Sequence, residues 1–132
     1  MEKSEKLLAR NDQAFTLIEL LVVVSIILVI ATIAIPQYAL YKKGSHNKMA
    51  RSDLRNLVTA QEATFIDQDL YVSCSNSNCN HPTVTGFQLS RNVSVICEVV
   101  ENGESYSCES RHQGGTITYN YNSATNIFSE QE

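Results

Sequence analysis

The sequence predicts an α+β protein. A long N-terminal α-helix, hydrophobic in its first half, should pack on a small antiparallel β-sheet of three or four strands. Three observations carry this. Residues 15–35 read FTLIELLVVVSIILVIATIAI, an apolar run of 21 residues. Residues 38–65 keep apolar side chains at three- and four-residue steps, the spacing of one helix face. Residues 92–121 are β-rich and are broken by Asn102-Gly103 and Gly114-Gly115, two turn signals.

The apolar run comes first. It contains one charge, Glu19, and three hydroxyls. About 20 such residues cross a bilayer core as a helix. A buried core helix is the competing reading, but a chain of 132 residues leaves too little mass to wrap it on all sides. An ordinary secretory signal peptide fits poorly. The first 14 residues set Lys3, Lys6 and Arg10 against Glu2, Glu5 and Asp12. Pro36-Gln37-Tyr38 directly follows the run, with no small-residue cleavage site. Pro36 removes a backbone donor and predicts a kink or a loosened turn. Beyond it, residues 37–66 read as an amphipathic half. Ala50, Leu54, Leu57, Val58 and Phe65 form its apolar stripe. Gly44 and Ser45 weaken the helix without ending it. A helix from Phe15 to about Ile66 would be ~78 Å long at 1.5 Å per residue.

Glu19 is the anomaly in this run. A carboxylate within a membrane span costs roughly 2.5–3.5 kcal/mol and is usually functional. Two readings follow from the residues. In one, Glu19 lies at the membrane interface, hydrated or protonated. In the other, the chain is cut between Ala14 and Phe15. The new α-amine, with an ordinary pKa of about 8, then lies one turn before Glu19 and can pair with it.

Ala14-Phe15-Thr16-Leu17-Ile18-Glu19-Leu20 resembles the processing site of type IV prepilins. The resemblance continues through the apolar helix to Pro36, Tyr38 and Tyr41, and covers residues 14 to about 60. It implies a leader at 1–14, removed by a prepilin peptidase that cleaves after Ala14 and methylates the Phe15 amine. It implies a lipid-embedded, later filament-core segment at 15–36, and a β-sheet head at 67–132. It gives Glu19 the role of registering each subunit against the terminal amine of its neighbour. The implied partners are copies of the chain itself, the peptidase, an inner-membrane assembly platform and the lipid bilayer. The leader would be cytoplasmic, the head periplasmic, and the finished filament extracellular. Pilins usually carry glycine before the cut. Ala14 departs from that pattern and should slow processing.

The head can be read strand by strand. Asn92 to Val100 forms one strand, Ser105 onward the next, and Thr116 to Tyr121 a third, with Ile117, Tyr119 and Tyr121 on one face. A two-residue turn at Asn102-Gly103 pairs positions whose numbers sum to 205. Cys97 then faces Cys108, Val99 faces Tyr106, and Val95 faces Ser110. That register makes Cys97 and Cys108 a hydrogen-bonded pair about 5.5 Å apart at Cα, within disulfide range. Cys74 and Cys79 lie close together in a polar loop. Four cysteines allow three connectivities, and these spacings favour Cys74–Cys79 with Cys97–Cys108. A small extracytoplasmic head benefits from such links. Zinc on Cys74, Cys79 and His81 is the rival reading, but the spacing fits no common zinc pattern. Asn92-Val93-Ser94 matches a glycosylation acceptor by pattern alone.

Charge and composition exclude other classes. The net charge of −4 gives no electrostatic reason to expect nucleic-acid binding. Lys42, Lys43, Lys48, Arg51 and Arg55 cluster, suited to anionic headgroups or to acids of neighbouring subunits. No nucleophile–base set, phosphate loop or paired-acid site is present, so no catalysis, metal or cofactor is expected. Two rival functions remain. A type II secretion pseudopilin would keep the fold, but the C-terminus lacks the acids of that system's calcium loop. A DNA- or electron-handling filament is the other, though most of the six tyrosines read as core or strand residues.

Overall fold

The computed structural model describes residues 15–100 and 103–132. The chain divides into two compact units, which meet in sequence at Gln37 and Tyr38. One α-helix, α1, runs Leu17–Gln68 and includes Pro36, Gly44 and Ser45. The proline therefore loosens one backbone position without ending the helix. The C-terminus of α1 is closed by Asp69, at φ 55, whose N–H donates to the Phe65 carbonyl at 2.8 Å.

The second unit carries a five-stranded antiparallel sheet, not three or four strands. Its strands are β1 (Cys74–Ser75), β2 (Val93–Val99), β3 (Tyr106–His112), β4 (Thr118–Asn122) and β5 (Ile127–Gln131), and they neighbour one another in chain order. The two unforeseen strands are the edges. β1 is two residues long and is followed by a 3-10 turn at Asn76–Cys79. β5 is exposed along its whole length, so it lacks the alternation that marks a half-buried strand.

β2 and β3 alternate buried and exposed residues, and β3 buries Tyr106, Cys108, Ser110 and His112. Their register pairs Cys97 with Cys108, Val99 with Tyr106 and Val95 with Ser110. The connecting turn corrects one detail. Asn102 lies outside the described residues, but the Val100 N–H donates to the Ser105 carbonyl at 2.8 Å. Val100 and Ser105 are thus a hydrogen-bonded pair, where a two-residue turn at Asn102-Gly103 would make them a non-hydrogen-bonded one. The numerical register is unchanged, but the hydrogen-bond parity is inverted. Cys97 and Cys108 become a non-hydrogen-bonded pair, 4.1 Å apart at Cα. The Val99 and Val95 N–H groups accordingly point the other way, to Ser73 Oγ and Asn76 Oδ1.

The core lies between the sheet and the second half of α1. Ala50, Leu54 and Leu57 pack with Val84, Phe87, Val95, Tyr106, Tyr119 and Tyr121. Phe65, expected in the buried stripe, sits at its edge and stacks on Tyr71 with ring centroids 4.6 Å apart. The buried face instead includes Asn47, Asp53, Gln61 and Thr64. Each of these polar side chains fastens a connecting segment. Asn47 Oδ1 accepts from the Thr116 and Ile117 N–H groups. Asp53 accepts from the Ser90 N–H and hydroxyl, both at 2.9 Å. Gln61 exchanges two bonds with the Val72 backbone. The Thr64 hydroxyl accepts from the Thr85 N–H at 2.9 Å.

Candidate functional site

The first unit presents the feature that function must explain. An 18-residue window of α1 has a mean hydropathy of 3.0, and none of it is buried. By length and composition this helix can cross a membrane. Its hydroxyls are satisfied within the helix. Ser25 donates to the Val22 carbonyl and Thr32 to the Val29 carbonyl, each at 2.7 Å. They therefore add little polar cost in an apolar surrounding.

The start of α1 shows how Glu19 is held. The Glu19 N–H donates to Thr16 Oγ1 at 3.3 Å. The Glu19 carboxylate accepts from the Thr16 N–H at 2.8 Å and from the Thr16 hydroxyl at 2.7 Å. This is a reciprocal capping box, in which side chain and backbone satisfy each other across three residues. Sequence reasoning assigned Glu19 no partner within the apolar run. The Thr-x-x-Glu spacing of Thr16 and Glu19 is the signal that identifies one. Phe15 is the first of the described residues and is 88% exposed. Ala14 and the rest of the 1–14 segment lie outside the described residues. Pro36, Tyr38 and Tyr41 all fall within α1, and both tyrosines are exposed.

In the second unit, Cys74 is bonded to Cys79 and Cys97 to Cys108. Cys74 and Cys79 are thus spent on each other rather than available as zinc ligands beside His81. Among the described residues no three His, Cys, Asp or Glu side chains form a metal-ligating group. Four of the six tyrosines are accounted for by packing and hydrogen bonds. Tyr106 and Tyr71 both donate to Glu62, at 2.8 and 3.2 Å. Burial and that carboxylate push the Tyr106 phenol well above its usual range. Tyr119 and Tyr121 are buried in β4.

His46 and His112, which carried no motif, are brought together. Their rings stack with centroids 4.0 Å apart and join α1 to the end of β3. His112 Nδ1 accepts the Gly114 N–H at 2.9 Å, which requires that nitrogen to be unprotonated. Burial and the neighbouring His46 lower the His112 pKa, while Asp53 acts weakly against them.

Comparisons with known proteins agree with this geometry. Residues 9–35 match the family described as the prokaryotic N-terminal methylation motif. The type IV wide pilus major component PilA4 of Thermus thermophilus is 31% identical over 112 residues, spanning 83% of this chain and 81% of that protein. The type IV major pilin protein PilA of Myxococcus xanthus is 40% identical over 66 residues, which are 50% of this chain but only 30% of that protein. A fimbrial protein of Pseudomonas aeruginosa is 32% identical over 82% of this chain and 66% of its own length. An exposed apolar helix with a capped start, a disulfide-bonded α+β head, and a match running along most of a known major pilin lead to one assignment: the chain belongs to the type IV pilin family.

Proposed function

We propose that the chain is a structural subunit of a type IV pilus whose N-terminal helix serves in two environments, lipid first and filament core second. The unburied apolar window of α1 carries this reading. In water so much apolar surface is costly, at about 25 cal/mol per Å². A bilayer covers it, and packing against the helices of other subunits covers it again.

In the precursor, the 1–14 segment is a cytoplasmic leader and the head is periplasmic, with the helix in the inner membrane. A prepilin peptidase cleaves after Ala14 and methylates the Phe15 amine. An inner-membrane assembly platform then transfers the subunit to the filament. Glu19 sets register by pairing with the Phe15 amine of a neighbour. The Thr16 bonds support this role, because they hold the carboxylate at the helix start until such an amine arrives. The names of the relatives support a pilus subunit over a type II secretion pseudopilin.

Mass spectrometry of sheared surface filaments tests the reading. The expected terminus is N-methylated Phe15. A filament subunit that still carried residues 1–14 would refute the cleavage. Glu19→Ala should leave the membrane-inserted precursor at its normal level and sharply reduce filaments. Normal filament yield would remove the register role.

A further inference from the structure

The second unit is charged oppositely at its two ends. Its long direction is fixed by contacts between α1 and β3. His46 meets His112, Ala50 accepts from Ser110, and Val58 and Glu62 accept from Tyr106. One end is thus marked by His46 and His112, the other by Glu62 and Tyr106.

Six of the seven Lys and Arg residues of this unit gather toward the His46 end. Lys42, Lys43, Lys48 and Arg51 lie on α1, and Arg55 lies midway, its guanidinium 5.7 Å from the centroid of the Phe128 ring. Arg111 precedes His112, and Arg91 follows Ser90, which Asp53 holds. The acids there are Asp53, which is buried and occupied by Ser90, and Glu130 and Glu132 near the C-terminus, while Glu109 stands exposed midway along β3. The opposite end is acidic. Glu62, Asp67 and Asp69 lie at the close of α1, and Glu98 and Glu104 flank the β2–β3 connection. No Lys or Arg occurs between positions 56 and 90 or between 92 and 110.

Along α1, Lys48 and Asp67 are roughly 28 Å apart at 1.5 Å per residue. The Debye length is about 8 Å at physiological salt. The two ends therefore do not neutralise each other within one subunit. A polyanion would satisfy the cationic end and be repelled by the other. A second copy of the chain offers both signs in the right order.

We propose that the cationic end of one head docks head-to-tail on the acidic end of the next copy. Such a contact uses two different patches, so it does not close on itself and propagates along a filament. It presupposes the pilus reading above, to which it adds a partner-facing surface on the head.

Charge reversal tests it in the full chain, expressed in cells and read as sheared filament relative to membrane-inserted subunit. All four positions chosen are exposed: Lys48, Arg51, Asp67 and Glu98. Lys48→Glu with Arg51→Glu places acid against acid. Asp67→Lys with Glu98→Lys places base against base. Each pair should lower filament yield by about tenfold or more, as expected when like charges meet across an interface. The chain with all four changes should recover to within about twofold, and so should co-expression of the two double variants. Wild-type yield from either double variant would overturn the pairing. So would failure of both double variants without recovery in the fourfold chain. Loss confined to the Lys48→Glu, Arg51→Glu chain would assign the cations to lipid headgroups and also overturn it. If wild-type cells shed no filament of this chain, the pilus reading itself fails, a result distinct from all of these.

Discussion

Gln61 offers the most discriminating test of how the head is held together. Its side chain has no exposed surface. Its Nε2 donates to the Val72 carbonyl at 2.6 Å and its Oε1 accepts the Val72 N–H at 3.1 Å. The amide thus imitates a strand partner for the segment that leads from α1 into β1. Gln61→Leu keeps most of the volume and removes both bonds. Each bond is worth about 1 kcal/mol net, and an unpaired backbone group in a partly buried place adds up to 1–3 kcal/mol more. Val72 is only half-buried, so water relieves part of that cost. We expect a loss of about 2–3 kcal/mol. For a head of this size that is a fall in Tm of roughly 8–24 °C. Gln61→Glu sharpens the test. A carboxylate still accepts from Val72 N–H but faces the Val72 carbonyl without a proton to give. Its folded pKa should therefore rise above the ordinary value of about 4.3, and stability should be regained as pH falls through that raised pKa. Thermal unfolding of the detergent-solubilised full chain, followed by near-UV circular dichroism of the tyrosines, reads both effects. A Leu variant within about 0.5 kcal/mol of wild type, or a Glu variant whose loss does not shrink in acid, would refute the two-bond account.

Three further outcomes are expected. Replacing Cys97 and Cys108 together by serine opens a loop of sequence separation 11 and should cost about 2–3 kcal/mol, measured by urea unfolding with and without reductant. Because burial and His46 depress the His112 pKa below its ordinary 6.5, its contribution to stability is complete above pH 6.5 and is lost as pH falls through the lower, folded value. Tm should therefore fall on acidification, and His112→Gln should flatten that dependence; an unchanged slope would exclude the stacked pair as its source. Gly115→Ala would drive a methyl group into Asn47 Oδ1, which holds the Thr116 and Ile117 N–H groups, and should destabilise by about 1–3 kcal/mol in the same melts.

The outer strands and the polar anchors show where sequence reading stops. The sequence predicts no strand at residues 127–131, whose order Ile-Phe-Ser-Glu-Gln carries no alternation of apolar and polar residues. They form a strand because β4 supplies a partner edge, pairing Tyr121 with Phe128 and Asn122 with Ile127. The strand count was therefore decided by tertiary pairing, not by local preference. Asn47, Asp53, Gln61 and Thr64 are of polar types that usually face water, although they continue the stripe of Ala50, Leu54 and Leu57 at three- and four-residue steps. They are buried because each meets a segment that is distant in sequence and needs a hydrogen-bond partner. The His46–His112 stack is likewise invisible in a sequence that separates the two by 66 positions.

By itself the sequence determined the unbroken apolar helix, its lone Glu19, the amphipathic continuation and the β2–β3 register. These depend on local periodicity and on numbers that must sum across a hairpin, and both are written along the chain. Thr16 belongs with them, since its three-residue spacing to Glu19 was legible though unread. Only the tertiary structure decided the loop parity that brings Cys97 and Cys108 to 4.1 Å, the partners of the buried polar residues, and the separation of charge between the two ends of the head. Those depend on which distant segments the packed helix and sheet bring together, and distance in space is not encoded by distance in sequence.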